Sequence, residues 1–232
     1  PGHIMGRGIG VPDVDCPQLR VWSEQVVRFF NVGCDDNDKQ IAEQATKEFY
    51  DYLLTLVEAR RKAPEEDLMS RMVEHRDAGR MTEDELVATT MLILMAGHGS
   101  TIDVLGSGMH ALLRFPEQHQ KLRDDPGLIN LAVQEMFRFE SPLPYFHRFA
   151  TEDTEVGGRM FKAGTRFGLL YGAANRDPER FENADKFDVT RSPNRHIAFG
   201  GGTHFCLGNH LARLDMDVIF TTLNERFSSI EL

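Results

Sequence analysis

Phe199-Gly200-Gly201-Gly202-Thr203-His204-Phe205-Cys206-Leu207-Gly208 is the stretch on which the reading of this 232-residue chain turns. Consecutive glycines let the backbone take positive φ and approach a ligand closely. A single cysteine follows them. Leu207, Leu211, Leu214, Val218, Thr222 and Phe227 then recur at three- to five-residue steps, which predicts a helix with one buried stripe. Cys206 then stands at or near a helix N-terminus, where the dipole and free N–H groups favour a thiolate. Such a thiolate is suited to ligating a metal.

The loop's own residues admit competing readings. The bland one is a glycine-rich turn carrying a buried structural cysteine. A phosphate-binding loop would need G-x-G-x-x-G or a lysine after the glycines, and the stretch has neither. A zinc centre is suggested by His196, His204, Cys206 and His210, but the C-x-x-C pairs or H-E-x-x-H spacing that would support it are missing.

Composition narrows the classes. Hydrophobic residues make up 41% and charged residues 27%, ordinary for a globular protein. The net charge of −10 argues against a general binder of nucleic acid or of membrane surfaces. Cys16, Cys34 and Cys206 are odd in number and widely spaced, which suggests no disulfide framework and points to a cytoplasmic setting. No signal peptide is visible in the first ten residues. The apolar run Leu86 to Gly97 is too short to span a bilayer, so no membrane anchor is expected.

Residues 1–140 read as mostly helical. Asp13 is placed to cap a helix whose face carries Leu19, Trp22, Val26, Phe29 and Phe30, and Asp35 to Asp38 reads as a polar connector. Ile41 to Lys62 is a helix stopped before Pro64. Thr82 and Glu85 form a capping box that opens the longest candidate, running to about Phe115. Its first half is apolar all round, as a helix through a protein's middle should be. Its centre is Ala96-Gly97-His98-Gly99-Ser100-Thr101, and two glycines there predict a kink or a close approach by a ligand. Two further helices flank the break at Asp124 to Gly127. Residues 141–198 read as small β hairpins and an irregular, ordered meander; 199–232 are the cysteine loop and its following helix. The whole is read as one domain, mainly α with a small β portion.

The string F-G-G-G-T-H-F-C-L-G resembles the haem-binding signature of the cytochrome P-450 family, F-x-x-G-x-x-x-C-x-G, with Phe199, Gly202, Cys206 and Gly208 in its fixed positions. Four further segments resemble family elements in the same order. Ala96 to Thr101 is similar to the oxygen-binding A-G-x-[DE]-T-T, and Glu135-x-x-Arg138 to E-x-x-R. Arg148 to Asp153 is similar to the segment whose Arg meets a haem propionate, and Pro178-Glu179-Arg180-Phe181 to the P-E-R-F element.

The resemblance implies the C-terminal part of the cytochrome P-450 fold, soluble bacterial type. It implies haem b (iron protoporphyrin IX) with Cys206 as the proximal iron ligand. His204 and Arg148 would meet the propionates, Phe199 and Gly200 would lie beside the thiolate, and Ala96 and Gly97 over the distal face. Ser100 and Thr101 would be the catalytic alcohols, and Glu135, Arg138 and Arg180 a buried network. The activity implied is monooxygenation of an apolar small molecule, with electrons from a ferredoxin or flavodoxin and its NAD(P)H reductase. Two departures stand out. Gly99 occupies the position of the family's acid, and the chain resembles a member truncated at its N-terminus and slightly at its C-terminus. Two alternatives follow: a non-catalytic haem-binding or interaction protein, or a haem-thiolate enzyme that runs on peroxide.

Overall fold

Asp35 accepts a hydrogen bond from the Asp38 backbone N–H at 2.8 Å, so the stretch read as a polar connector is instead the first turn of a helix. The side-chain cap satisfies an amide that the helix start leaves unpaired. That helix, α3, runs Asp36–Lys62. The computed structural model describes residues 2–31 and 33–231, and they fall into two compact units, Pro1–Ile102 and Asp103–Leu232. The reading as one domain holds no hint of this division, whose boundary falls inside a helix.

The first unit is helical throughout. α1 (Gly2–Ile9) and α2 (Cys16–Val27) precede α3; α4 (Leu68–Asp77), α5 (Glu83–Ala96) and the start of α6 (Gly99–Arg114) follow it. The helix at the chain start has no counterpart in the sequence reading, because three glycines mask its pattern. Asp13 does not cap α2; it takes three hydrogen bonds from the Arg7 guanidinium instead. The core is built from Ile9, Leu19, Phe49, Leu53, Val57, Met69, Leu86 and Val87, each 5% exposed or less. Each large apolar side chain so buried contributes about 1.5–3 kcal/mol.

α5 opens on the capping box foreseen for Thr82 and Glu85, both halves of which are formed. The long helix is not continuous: Gly97 and His98 form a turn between α5 and α6. By length and composition alone Glu83–Arg114 would pass for a membrane span. Leu86, Val87 and Leu94 are nonetheless packed in a protein core.

The second unit contains the rest of α6, then α7 (Pro116–Asp124), α8 (Ile129–Phe139), β1 (Phe146–Phe149), β2 (Thr154–Val156), β3 (Arg159–Phe161), β4 (Arg166–Leu169), α9 (Tyr171–Ala174) and α10 (Asn209–Arg226). The strands form two antiparallel pairs, β1 with β4 and β2 with β3, the second nested in the loop of the first. Residues 175–201 contain no helix or strand, yet Phe181, Phe187 and Val189 are buried, as an ordered meander requires.

α10 corrects the stripe expected of it. Leu207, Leu214, Val218 and Phe227 are exposed, while Asn209, Asp215, Met216 and Phe220 face inward. Met216 and Phe220, four residues apart, join a core containing Val104, Leu112, Val133, Met136 and Phe137. Two apolar stripes exist on this helix, and periodicity alone cannot say which one the fold covers.

Candidate active site

The cysteine loop is shaped by its hydrogen bonds and its glycines. The Cys206 N–H donates to the Phe199 carbonyl at 3.0 Å, and the Gly200 N–H to the Ile197 carbonyl at 2.9 Å. Gly200 and Gly202 have φ of +70° and +63°, a region that residues with a Cβ rarely enter. Residues Gly202–His204 make one 3-10 turn, and α10 starts three residues after the cysteine. The Cys206 carbonyl accepts from the side-chain amide of Asn209 at 2.8 Å.

Phe199 is 9% exposed and packs on Phe137, ring centres 4.5 Å apart. Cys206 is half-buried. Beside it Phe205 is 50% and Leu207 84% exposed. A soft sulfur ligand, a loop stripped of Cβ atoms and apolar side chains left uncovered next to them fit a flat apolar group with a metal at its centre. Haem is such a group. His204 is exposed at the end of the 3-10 turn. Arg148 lies on β1, half-buried, with Nη1 donating to the His147 carbonyl at 2.8 Å and its guanidinium 5.2 Å from the centre of the Phe146 ring.

Behind the loop, Glu135 and Arg138 are both fully buried. α8 brings them together at i,i+3, and their two parallel bonds are each 2.7 Å. The three remaining guanidinium protons go to the carbonyls of Asn175, Ala184 and Lys186 at 2.8–3.0 Å. Arg138 thus uses all five donors. The carboxylate also accepts from the Asp188 N–H, Arg191 Nε and Asn194 Nδ2 at 3.0–3.2 Å. Burying two charges is tolerated only when the pair is satisfied to this degree.

Arg180 is not in the network. It is exposed, because its neighbour Phe181 turns inward and sits 5.3 Å from the Arg138 guanidinium. Arg191, eleven residues on, takes its place and also binds the carbonyls of Glu182, Asn183 and Lys186. No periodicity marks Arg191 or Asn194, so neither is visible in the sequence.

The other expected residues lie at the turn between α5 and α6. Ser100 donates its hydroxyl proton to the Ala96 carbonyl at 3.1 Å, a bond back to the preceding turn that favours bending. Thr101 is 5% exposed. Gly97 admits no side chain freely: a Cβ there would lie 2.7 Å from the Met5 methyl group. A Cβ on Gly99 would meet open space. His98 faces a small cavity lined by Met5, Cys16, Ser23 and Leu94. Its Nε2 is buried without a hydrogen-bond partner among the described residues, and burial holds its pKa below the usual histidine value.

Set beside known proteins, residues 21–126 and 127–231 match the family model described as cytochrome P-450. The chain belongs to the cytochrome P-450 family. It is 38% identical over 229 residues to the biotin biosynthesis cytochrome P-450 of Bacillus subtilis, covering 99% of this chain and 58% of that one. It is 37% identical to the steroid C26-monooxygenase of Mycobacterium tuberculosis, covering 100% of this chain and 63% of that one. The crystal structure of P450BioI in complex with an acyl carrier protein ligated with hexadec-9Z-enoic acid superposes with a TM-score of 0.95 at 37% identity. That match covers 99% of this chain and 60% of the other. This cytochrome P-450 chain therefore spans about three fifths of the length of these relatives. The family implies a haem cofactor, and the donor set around Cys206 is the one that fits it.

Proposed function

We propose that this chain supplies the thiolate loop and the kinked helix of a haem-thiolate monooxygenase. The reaction inserts one atom of O2 into an apolar organic substrate and releases the other as water, with two protons and two electrons. When bound through a cysteine thiolate, haem b supplies the oxygen activation. Cys206 binds the iron, held in place through its amide and its carbonyl. Phe199 shields the sulfur from water, and Gly200 leaves room for close approach. His204 and Arg148 hold the two propionates by charge-assisted hydrogen bonds. By the resemblance, Ala96 and Gly97 would belong to the oxygen-binding segment of the kinked helix. Ser100, with Thr101 beside it, passes a proton inward from its hydroxyl. Electrons arrive singly from a ferredoxin or flavodoxin and its NAD(P)H reductase, in a cytoplasmic setting. The apolar substrate class is supported by the fatty-acyl chain and the steroid named for the relatives.

The observation that carries this reading is Cys206 itself: half-buried, with its N–H on the Phe199 carbonyl and its own carbonyl on Asn209. Expressed with haem supplied, the chain is expected to give the red-shifted Soret band of a thiolate-ligated ferrous–CO adduct. Cys206→Ala is expected to abolish it. Haem uptake without that band in the unaltered chain would sink the reading. A peroxide-driven variant of the same chemistry is the second reading, because Gly99 stands at the position of the family's acid, next to Ser100. Product formed per peroxide added, against product formed per electron from a redox partner, separates the two.

A further inference from the structure

The ligand loop touches one charged side chain that none of the roles above uses. Arg213 lies one helical turn beyond Asn209 on α10, with its guanidinium 4.3 Å from the centre of the Phe199 ring. Its Nη1 donates to the side-chain oxygen of Asn209 and, at 3.3 Å, to the Asn209 carbonyl. Asn209, 5% exposed, uses its own amide protons on the Cys206 carbonyl. The guanidinium therefore fixes which way the Asn209 amide points, and the amide holds the cysteine.

The other end of Arg213 is anchored too. Its Nε donates to Gln134 Oε1 at 3.1 Å, an oxygen that also lies 3.1 Å from His196 Nε2. The Ala198 N–H donates to His196 Nδ1, so Nδ1 is unprotonated and Nε2 carries the proton given to Gln134. One carbonyl oxygen thus accepts from histidine and arginine, and α8, the segment before the loop and α10 meet there. Both chains of contact start at Arg213; one ends on the Cys206 carbonyl, through Asn209, and the other on the Phe199 ring, which the guanidinium and His196 both face.

We infer that Arg213 is a positioning residue for the thiolate: it clamps Asn209 on the Cys206 carbonyl and caps the Phe199 ring, keeping Cys206 in its ligating geometry. This rests on the haem-thiolate reading, and one arm of its test does not need haem. Lysine cannot serve in its place, because a point charge lacks the planar fork that reaches Gln134 and Asn209 together while stacking on a ring.

The test compares Arg213→Met, Arg213→Lys and Asn209→Ala with the unaltered full chain. Without haem, amide hydrogen exchange over residues 199–209 is expected to speed up at least several-fold in all three. The double variant Arg213→Met with Asn209→Ala should add little beyond the larger single effect, as expected for residues acting in series. With haem, the same variants should shift part of the ferrous–CO adduct from the red-shifted band to the band of a neutral thiol, at similar haem content. Exchange in the loop and the CO spectrum both unchanged, with only melting temperature lowered, would make Arg213 a structural residue and overturn the inference. Should Arg213→Met fail to fold, Arg213→Lys and Asn209→Ala carry the same comparison. If the unaltered chain binds no haem, the functional reading fails while the exchange arm still decides the inference.

Discussion

Two groups of polar side chains interrupt apolar surroundings in this chain, and they are built in opposite ways. At Glu135 and Arg138, every guanidinium proton and both carboxylate oxygens have partners at 2.7–3.2 Å. At the turn between α5 and α6, His98 Nε2 has none among the described residues, and the Ser100 hydroxyl bonds back across the turn to the Ala96 carbonyl at the end of α5. A group whose bonds are all committed holds shape; one with spare capacity can exchange protons or bind something.

The largest effect should come from breaking the closed side. Glu135→Ala leaves the Arg138 charge buried and unpaired, a loss of about 3–5 kcal/mol against a total stability of about 5–15. Urea denaturation should show it, or the variant will not accumulate as folded protein. Replacing both partners, Glu135→Leu with Arg138→Met, should recover part of the loss, because no lone charge then remains. A double variant as weak as the single one would contradict the idea that the unpaired charge dominates.

His196 belongs to the same closed side, and pH reads it. Burial, with repulsion from Arg213 and Arg138, pushes its pKa down from 6.5 to about 4. The depressed value means the unfolded chain takes up a proton that the fold refuses between pH 6.5 and 4. Stability therefore falls as pH drops through that window and levels off below it, by roughly 3 kcal/mol in all. His196→Gln should flatten this slope, as seen in the difference between the two denaturation profiles, since the carboxylates titrate alike in both. Parallel profiles would show that His196 titrates alike in the folded and the unfolded chain.

On the open side the expected effect on stability is smaller and of opposite sign. Gly99 starts α6, and a Cβ there meets nothing within 4 Å. Gly99→Glu should stabilise by about 0.5–1 kcal/mol, from the higher helix propensity and the favourable dipole at a helix start. It also places a carboxylate beside Ser100, so the reconstituted enzyme should release less peroxide per product formed. An unchanged ratio would mean that proton delivery does not limit coupling here.

The same contrast explains what the sequence made legible. The capping box at Thr82, the stop before Pro64 and the kink forecast by Gly97 and Gly99 are local, so neighbouring residues declare them; the spacing of Glu135 and Arg138 alone assigns that pair no role, and only the resemblance does. The stripe that periodicity marks on α10 lies on the face the fold leaves open, since Leu214 and Val218 make as good a pattern as Met216 and Phe220. Glycines hide the helix that starts at Gly2, and a run of acids hides the first turn of the one that starts at Asp36. Arg191, Asn194 and Arg213 act through contacts 56 to 79 residues away in sequence, at Glu135 and Gln134, and no spacing rule reaches that far.

Arg180 gives the smallest effect and the sharpest comparison between motif and geometry. By resemblance it belongs to the Glu135 network; in the fold it is exposed, and Arg191, 10% exposed, is the side chain on the carboxylate. Arg180→Ala should stay within about 0.5 kcal/mol of the unaltered chain, as surface replacements do. Arg191→Ala removes a charge-assisted bond to a buried carboxylate and should cost about 1.5–3 kcal/mol. The pair of variants, compared by urea denaturation at one pH, decides between two arginines that the sequence cannot rank. Equal losses would mean that Arg180 reaches the carboxylate as well, as the motif has it.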